Sequence, residues 1–99
     1  MAEVLITFHC STPDAEDIAI ALRANTDAPL QLRQEDVRGR DYGDAGIAEQ
    51  VTGRLRREVI ELVVADTAVE PLVQAVTDAR RRFPVRWRVT PIIAHGRIS

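Results

Sequence analysis

The stretch GRLRREV places three arginines, Arg54, Arg56 and Arg57, directly before the most apolar run of the chain. A guanidinium stays charged and binds a carboxylate or phosphate through two parallel hydrogen bonds. Just upstream, VRGRDYGDAG carries three glycines in eight residues, which predicts a flexible loop. One interpretation is a basic strip on a strand that closes over an anion together with the loop Gly39–Gly46.

A second interpretation of these arginines needs no ligand. They would form the solvated end of a strand and pair with Glu35, with Asp36 or with the acidic half of a neighbouring chain, as most surface charge runs do. Our working hypothesis is that the strand projects beyond the sheet as an arm. Its arginines would then meet a partner or a ligand at the edge of an assembly.

Two side chains near the N-terminus, His9 and Cys10, have the chemistry of ligands for a soft or borderline metal ion. Because neighbours on a strand point to opposite faces, they cannot easily share one ion. His95 is too isolated in the sequence to complete a site. A three-fold axis that gathers copies of one residue is the remaining route to a metal, and we predict no metal site.

The sequence contains little that is typical of an enzyme or of a nucleic-acid-binding protein. It has no Gly-x-Ser-x-Gly, no Walker loop and no HExxH. A small isomerase or monooxygenase would need a His or an acid in an apolar cleft between helices and sheet, and His9 is the candidate. Base stacking needs aromatic side chains, which make up 4% of the residues. We expect neither an enzyme nor nucleic-acid binding.

Length and composition predict one globular domain, residues 1–99, with 45% hydrophobic and 28% charged residues. No apolar run approaches the roughly 20 residues of a membrane helix, and the N-terminus lacks the basic segment of a signal peptide. A single cysteine, Cys10, fits a reducing compartment. These features predict a cytoplasmic protein.

Charge is divided unevenly between the two halves of the chain. Residues 1–49 hold ten acids and four arginines, a charge of −6, whereas residues 50–99 hold five acids and nine arginines, a charge of +4. All thirteen basic residues are arginines. Two halves of opposite net charge favour attraction between neighbouring subunits. They are less suited to nucleic acid, which prefers one strongly basic face.

The first half of the chain reads as strand, helix and strand. Residues 4–10, VLITFHC, are β-branched and aromatic and predict a buried strand. Thr12 is the expected N-cap of the next helix, with Pro13 at its first position. Residues 30–37 predict a second strand of mixed pattern.

The second half repeats the pattern after the glycine loop. A third strand is predicted over residues 50–64, apolar on both faces in its second half and hence central in a sheet. Asp66 is the expected cap of a second helix, whose last turn holds Arg80, Arg81 and Arg82. Residues 85–89, VRWRV, alternate as a strand with one wet face, and Pro91 marks its far end as an edge or exit. The order β-α-β-β-α-β predicts an α+β, ferredoxin-like fold, an antiparallel sheet with two helices on one face.

Four stretches of the chain resemble the PII-like signalling proteins: VRG (37–39), IELVVAD (60–66), AEQVTGR (48–54) and VTPIIAHGRI (89–98). In that superfamily a ferredoxin-like subunit forms a trimer, and a long loop between the second and third strands reaches for ligands and partners. The last two stretches are more narrowly similar to a little-characterised PII-like family, often encoded beside heavy-metal efflux pumps of the resistance-nodulation-division type. The resemblance implies a PII-like trimer with a mobile loop at about residues 38–53.

The chain departs from the PII pattern at the place where nucleotides usually bind. ATP-binding PII proteins carry a glycine-rich, lysine-containing loop between the second helix and the last strand, and here residues 81–86 read RRFPVR. Without glycine the backbone N–H groups approach a phosphate less closely. The loop at 38–53 is also shorter than usual, and its Tyr42 lies in a different setting, which argues against uridylylation.

The resemblance gives two arginines a role. Arg57 falls near the position where PII proteins place a cation at the base of the loop to hold an anionic metabolite. Arg97 lies in the C-terminal segment that borders the cleft between subunits, although a structural ion pair would explain it equally well. The implied ligand-binding residues are Arg38, Gly39, Arg40, Gly43, Gly46, Arg54, Arg57 and Arg97.

We therefore expect a non-enzymatic, trimeric regulatory protein. It would bind a small anionic effector or a membrane transport partner, such as a heavy-metal efflux pump, through its mobile loop. One alternative keeps the fold and makes adenine nucleotide or bicarbonate the ligand. A rival of another class is a small enzyme with a pocket around His9.

Overall fold

The computed structural model describes residues 2–38, 55–80 and 83–99. Four strands and two helices follow one another in the predicted order, with a short 3-10 turn before the second helix. The elements are β1 (Glu3–Ser11), α1 (Thr12–Asn25), β2 (Gln31–Val37), β3 (Leu55–Ala65), the 3-10 turn (Asp66–Ala68), α2 (Val69–Ala79) and β4 (Arg86–Pro91). Neither helix in these ranges has the length and apolar content needed to cross a membrane.

The strands form one antiparallel sheet in the order β2-β3-β1-β4, which is the ferredoxin-like arrangement predicted from the element order. The central strands β1 and β3 pair along nine residues, from Glu3 opposite Ala65 to Ser11 opposite Arg57. As predicted, β3 lies in the middle. Its first two residues, Leu55 and Arg56, extend past β1 and pair with β2 alone, so the expected arm is short within the described residues.

One face of the sheet carries both helices and the apolar core. Because side chains alternate along a strand, every second residue of β1 and β3 packs against buried residues of α1 and α2. The core cluster comprises Val4, Ile6, Phe8, Cys10, Ala15, Ile18, Ala19, Leu22, Ile60, Leu62, Val64, Leu72 and Val76. Within the described residues no helix lies on the other face, which is formed by the remaining residues of each strand and is hereafter called the helix-free face.

The helix starts differ from the sequence-based expectation by one to three residues. Ser11, rather than Thr12, holds the N-cap position of α1, and Pro13 lies in the first turn as predicted. Asp66 begins the 3-10 turn instead of capping α2, and its backbone N–H donates to the Ala2 carbonyl at 2.9 Å. A 3-10 turn of this kind is common at the N-terminus of an α-helix.

The observed strand ends also differ slightly from the predicted ones. β4 begins one residue later than predicted and runs on to Pro91, which pairs with Val4 as the last residue of an edge strand. Pro91 is tolerated there because an edge strand has one side without ladder hydrogen bonds. The predicted start of β3 at residues 50–54 lies outside the described residues.

Candidate functional site

Polar side chains are concentrated on the helix-free face, around the pairing of β1, β2 and β3. Thr7, Ser11 and Arg57 are each less than 5% exposed there, although no helix of the described ranges lies on this face. Val59, in the same face, is fully buried. Its cross-strand neighbours are two polar residues, His9 on β1 and Arg33 on β2.

Arg57 is the most unusual residue of this face. Its register partners are Ser11 on β1 and Glu35 on β2. The guanidinium Nη1 donates to the Arg56 carbonyl oxygen at 2.8 Å, and the residue is only 4% exposed. A buried charge is costly unless it is paired or hydrogen bonded. The structure therefore holds a cation inside the protein, two residues from the start of β3.

The predicted basic strip is split between the two faces of the sheet. Arg56 projects to the helix side, where its Nε lies 3.5 Å from Asp36 Oδ1 in an exposed ion pair. Arg57 projects to the helix-free face because consecutive strand residues alternate. The interpretation that needs no ligand, in which the arginines pair with acidic residues, is correct for Arg56 because Arg56 pairs with Asp36. Arg57 is the buried arginine of the strand, and Arg54 lies outside the described residues.

His9 and Glu35 form a close pair beside Arg57. His9 Nδ1 lies 2.6 Å from Glu35 Oε1, and the side chains are 16% and 30% exposed. The register sets this contact, since both residues neighbour the β3 segment 57–59 on the same face. His9 thus lies on the helix-free face, away from the space between helices and sheet where an enzyme cleft was envisaged.

A second polar group joins β1, β2 and β3 at the level of Glu61. One carboxylate oxygen of Glu61 accepts from Arg33, and the other accepts from the Thr7 hydroxyl at 3.3 Å. The Arg33 hydrogen bond lowers the pKa of the Glu61 carboxyl below its usual value. Glu61 is therefore held in its charged form in the folded protein.

Two buried polar atoms at the start of α1 have no hydrogen-bond partner among the described residues: Ser11 Oγ and Asp14 Oδ2. Ser11 is 4% exposed and Asp14 is 1% exposed. Such atoms are rare in native interiors because each forfeits its hydrogen bond to water. Ser11 is also the register partner of Arg57 on β3.

Cys10 lies between these groups in sequence but on the helix side. Its thiol donates to the Glu58 carbonyl oxygen at 3.5 Å and is fully buried. Burial raises the pKa of the Cys10 thiol to about 11, with the negative charges of Glu58 and Asp14 adding to the effect. A neutral thiol is a poor metal ligand and a poor nucleophile.

The potential metal-ligating residues of the sequence lie apart from one another in the described ranges. His9 and Cys10 face opposite sides of the sheet, as predicted from strand alternation. His95 is paired with Glu3, with Nε2 and Oε1 2.7 Å apart on the exposed surface. No group of three His, Cys, Asp or Glu side chains suited to a metal ion occurs in residues 2–38, 55–80 and 83–99.

The other predicted ligand-binding residues are not brought to Arg57 by the described structure. Arg38 is exposed directly after β2, and Arg97 is exposed in the C-terminal segment that follows β4. An added Cβ at Gly96, next to Arg97, would meet nothing within 4 Å. The remaining residues, Gly39, Arg40, Gly43, Gly46 and Arg54, lie outside the described residues.

Sequence reasoning missed most of the polar residues that share the helix-free face with Arg57. Glu35 was considered only as a surface partner of the arginines, and Thr7, Ser11 and Glu61 were not considered at all. Their proximity follows from the antiparallel register of β1 and β3. The register was available in principle, because β1 and β3 must be adjacent central strands in this fold. The burial of Asp14 carried no sequence signal.

Order, pairing and helix placement define an α+β protein with the ferredoxin-like fold that PII-like proteins share. The model of a protein family of unknown function, DUF3240, matches residues 30–99, and the chain belongs to that family. Curated protein sequences gave no match to this chain.

Solved structures confirm the fold. The chain is similar to a DUF3240 family protein from Shewanella baltica, with a TM-score of 0.78, 17% identity, and 100% of this chain and 99% of that chain covered. A functionally unknown protein from Pediococcus pentosaceus matches with a TM-score of 0.67, 12% identity and 99% coverage of both chains. A Bacillus cereus protein related to NIF3 matches 97% of this chain with 26% of its own length, at a TM-score of 0.71 and 14% identity.

Proposed function

We propose that this chain is a non-enzymatic, PII-like regulatory protein that binds a small anionic effector at the start of β3. The observation that carries the proposal is Arg57, an arginine only 4% exposed on a sheet face where the described residues place no helix. Arginine is the side chain best shaped for carboxylate and phosphate. Its position at the base of the 38–53 segment lets an anion act on that segment directly.

Two orphaned polar atoms at the start of α1 support a choice of effector chemistry. Ser11, the register partner of Arg57, has a hydroxyl that can donate to an anion, whereas Asp14 Oδ2, in the first turn of α1, needs a hydrogen-bond donor. Asp14 would repel an anion that has no donor of its own. The effector that fits best therefore carries both an anionic group and an N–H or O–H group.

The segment at residues 38–53 would be the responsive part of the protein. It connects β2 to β3, and Arg57 is joined to it through Leu55 and Arg56. We propose that effector binding at Arg57 changes the order of this segment, which would then be read by a partner. Order–disorder changes of this kind are a common form of regulatory switch.

The assembly we propose is a homotrimer. In the described sheet, β2 and β4 are edge strands, each with one side that has no neighbouring strand. Contact between unlike edges of successive copies is heterologous, and such contacts can close into a ring. The acidic first half and basic second half of the chain would favour that arrangement. Light scattering should give a mass of about three times 11.0 kDa.

The partner we propose is a membrane transport system, and a heavy-metal efflux pump follows from the PII-like resemblance. The alternative effectors are an adenine nucleotide, which offers phosphates and an amino group, and bicarbonate, which offers an anion and a hydroxyl. The rival enzyme would use His9 with Glu35 as its orienting carboxylate. Turnover lost in His9→Gln would favour the enzyme.

A thermal-shift screen tests the proposal. The panel holds ATP, ADP, AMP, cyclic nucleotides, 2-oxoglutarate, bicarbonate and divalent metals, against wild type, Arg57→Gln and Arg23→Gln. Arg23 is an exposed arginine of α1 and serves as the matched control. We expect a stabilising shift that is lost in Arg57→Gln and kept in Arg23→Gln. A metal shift independent of Arg57, or no shift at all, would contradict effector binding and direct attention to a protein partner.

A further inference from the structure

A separate cavity opens on the helix side of the sheet, between α2 and the edge strand β4. Its volume is about 300 Å³. Its lining residues are Phe8, Val73, Val76, Thr77, Arg80, Pro84, Val85 and Trp87. This volume is at the lower end of the range of small-molecule sites, about 300–1,000 Å³, and would admit one or two fused rings.

The walls of this cavity are apolar and partly aromatic. Trp87, on β4, pairs in register with Phe8 on β1. Phe8 is fully buried at the floor, whereas Trp87 is 48% exposed and forms one wall. Leaving half of an indole in water forfeits part of the burial energy that usually fixes a tryptophan in a core. The exposed ring face is available to stack on a planar ligand.

The polar groups at the rim are few and have distinct roles. The Thr77 hydroxyl already donates to the Val73 carbonyl oxygen at 2.8 Å. Arg80 is exposed at the end of α2. Within the part of the chain that the structure describes, no carboxylate lies within ion-pair distance of its guanidinium. Arg80 is thus the charged group of the cavity that can take an anion.

We propose that this cavity binds an aromatic or otherwise apolar small molecule that carries one anionic group. The rings would stack on Trp87 above Phe8, and the carboxylate, sulfonate or phosphate would pair with Arg80. The C-terminal end of α2 carries a partial negative charge, but the guanidinium contributes a full positive charge that outweighs it. The backbone N–H of Arg80 also donates to the Val76 carbonyl and so caps that end.

This cavity is independent of the Arg57 site. Trp87 projects to the helix side of the sheet, whereas Arg57 projects to the helix-free face. The two sites therefore differ in ligand class: a hydrophilic anion with a donor at Arg57, and an amphiphilic anion here. Either could exist without the other.

The probe for the test is 8-anilinonaphthalene-1-sulfonate, with N-phenyl-1-naphthylamine as its neutral counterpart. Trp87 is the single tryptophan of the chain, so quenching of its emission reports binding at this wall. The variants are Arg80→Gln and Val73→Phe, which fills the cavity. Arg88→Gln is the matched control, because Arg88 lies on the same strand one residue from Trp87 and faces the opposite side.

We expect saturable quenching of Trp87 by the sulfonate. Its affinity should fall about two- to fivefold in Arg80→Gln, as for an exposed ion pair, and stay unchanged in Arg88→Gln. The neutral probe should bind Arg80→Gln as it binds wild type, and Val73→Phe should bind neither probe. Each variant is first shown to keep its unfolding temperature and near-ultraviolet circular dichroism.

Three results would overturn the proposal. One is equal sulfonate affinity in wild type and Arg80→Gln, and another is unaltered binding in Val73→Phe. The third is a rise in acrylamide quenching of Trp87 as the protein is diluted, which would show that a second copy covers this wall.

Discussion

On the helix side of the sheet, Ile60 is buried within the apolar cluster that both helices complete, whereas its neighbour Val59 is equally buried on the helix-free face. The cross-strand neighbours of Val59 are polar, His9 on β1 and Arg33 on β2. One side of β3 thus provides stability through close packing. The other side holds charged groups in fixed positions, which is what recognition of an anion requires.

The largest expected contrast is between Ile60→Ala and Val59→Ala. Ile60→Ala should lower the free energy of unfolding by about 2–5 kcal/mol, since a rigid core relaxes little around a cavity. Val59→Ala should cost about 1–2 kcal/mol, because long polar side chains can close over the gap. Urea denaturation of both variants measures the difference. Equal losses would mean that the helix-free face is packed as tightly as the core.

The reactivity of the Cys10 thiol reports whether water is excluded from the helix side of the sheet. A thiol pKa of about 11 instead of 9.0 leaves about 100-fold less thiolate at neutral pH. We therefore expect native protein at pH 8 to react with iodoacetamide at least about 100-fold more slowly than protein in urea. Free glutathione under the same conditions is the control for reagent quality. Rapid labelling of the folded protein would contradict the buried position of Cys10.

The ionisation of Glu61 makes the stability of the protein depend on pH. Because Arg33 lowers the pKa of folded Glu61 below its usual 4.5, the unfolded chain binds the proton more readily. Glu61 therefore contributes stability above about pH 4.5, and the contribution is lost as the pH falls through its folded pKa. Thermal unfolding from pH 6 to pH 3 should show a smaller decline for Arg33→Gln than for wild type. Equal declines in the unfolding temperatures of wild type and Arg33→Gln would show that the Arg33–Glu61 contact does not lower the pKa of Glu61.

The smallest expected effect belongs to Arg56. Its ion pair with Asp36 is exposed on both sides, with an Nε–Oδ1 distance of 3.5 Å. Arg56→Gln should change the free energy of unfolding by about 0.2–0.5 kcal/mol and leave effector binding unchanged. Urea denaturation and the thermal-shift panel measure the two quantities. Loss of the effector-induced thermal shift in Arg56→Gln would contradict this expectation. It would show that Arg56 binds the effector together with Arg57, although the two side chains lie on opposite faces of the sheet.

The fold was predictable because hydrophobic periodicity changes clearly along the chain. The apolar run of β1 and the helical spacing in α1 and α2 gave the order of elements, and β3 was identified as central from its two apolar faces. The observed ends of helices and strands differ from the predicted ones where tertiary contacts intervene. Asp66 looked like a helix cap in the sequence, but its bond to the Ala2 carbonyl belongs to a contact distant in sequence.

The candidate site was only partly predictable. Arg57 was found from its position before the most apolar run of the chain and from the PII-like resemblance. Strand alternation alone would have separated it from Arg56. The orphaned atoms of Ser11 and Asp14 could not be foreseen, because an acid in the first turn of a helix is usually exposed and favoured by the helix dipole. Burial of Asp14 depends on how α1 packs beside the end of β1.

Calorimetric titration of the panel compounds into wild type, Arg57→Gln and Arg23→Gln tests the central claim most directly. We predict that one anion bearing a hydrogen-bond donor binds once per chain. Its affinity should fall about 10- to 100-fold in Arg57→Gln, as for loss of a charged hydrogen bond, and stay unchanged in Arg23→Gln. Equal affinity in wild type and a correctly folded Arg57→Gln, or no heat from any compound, would contradict the assignment of Arg57 as the effector site.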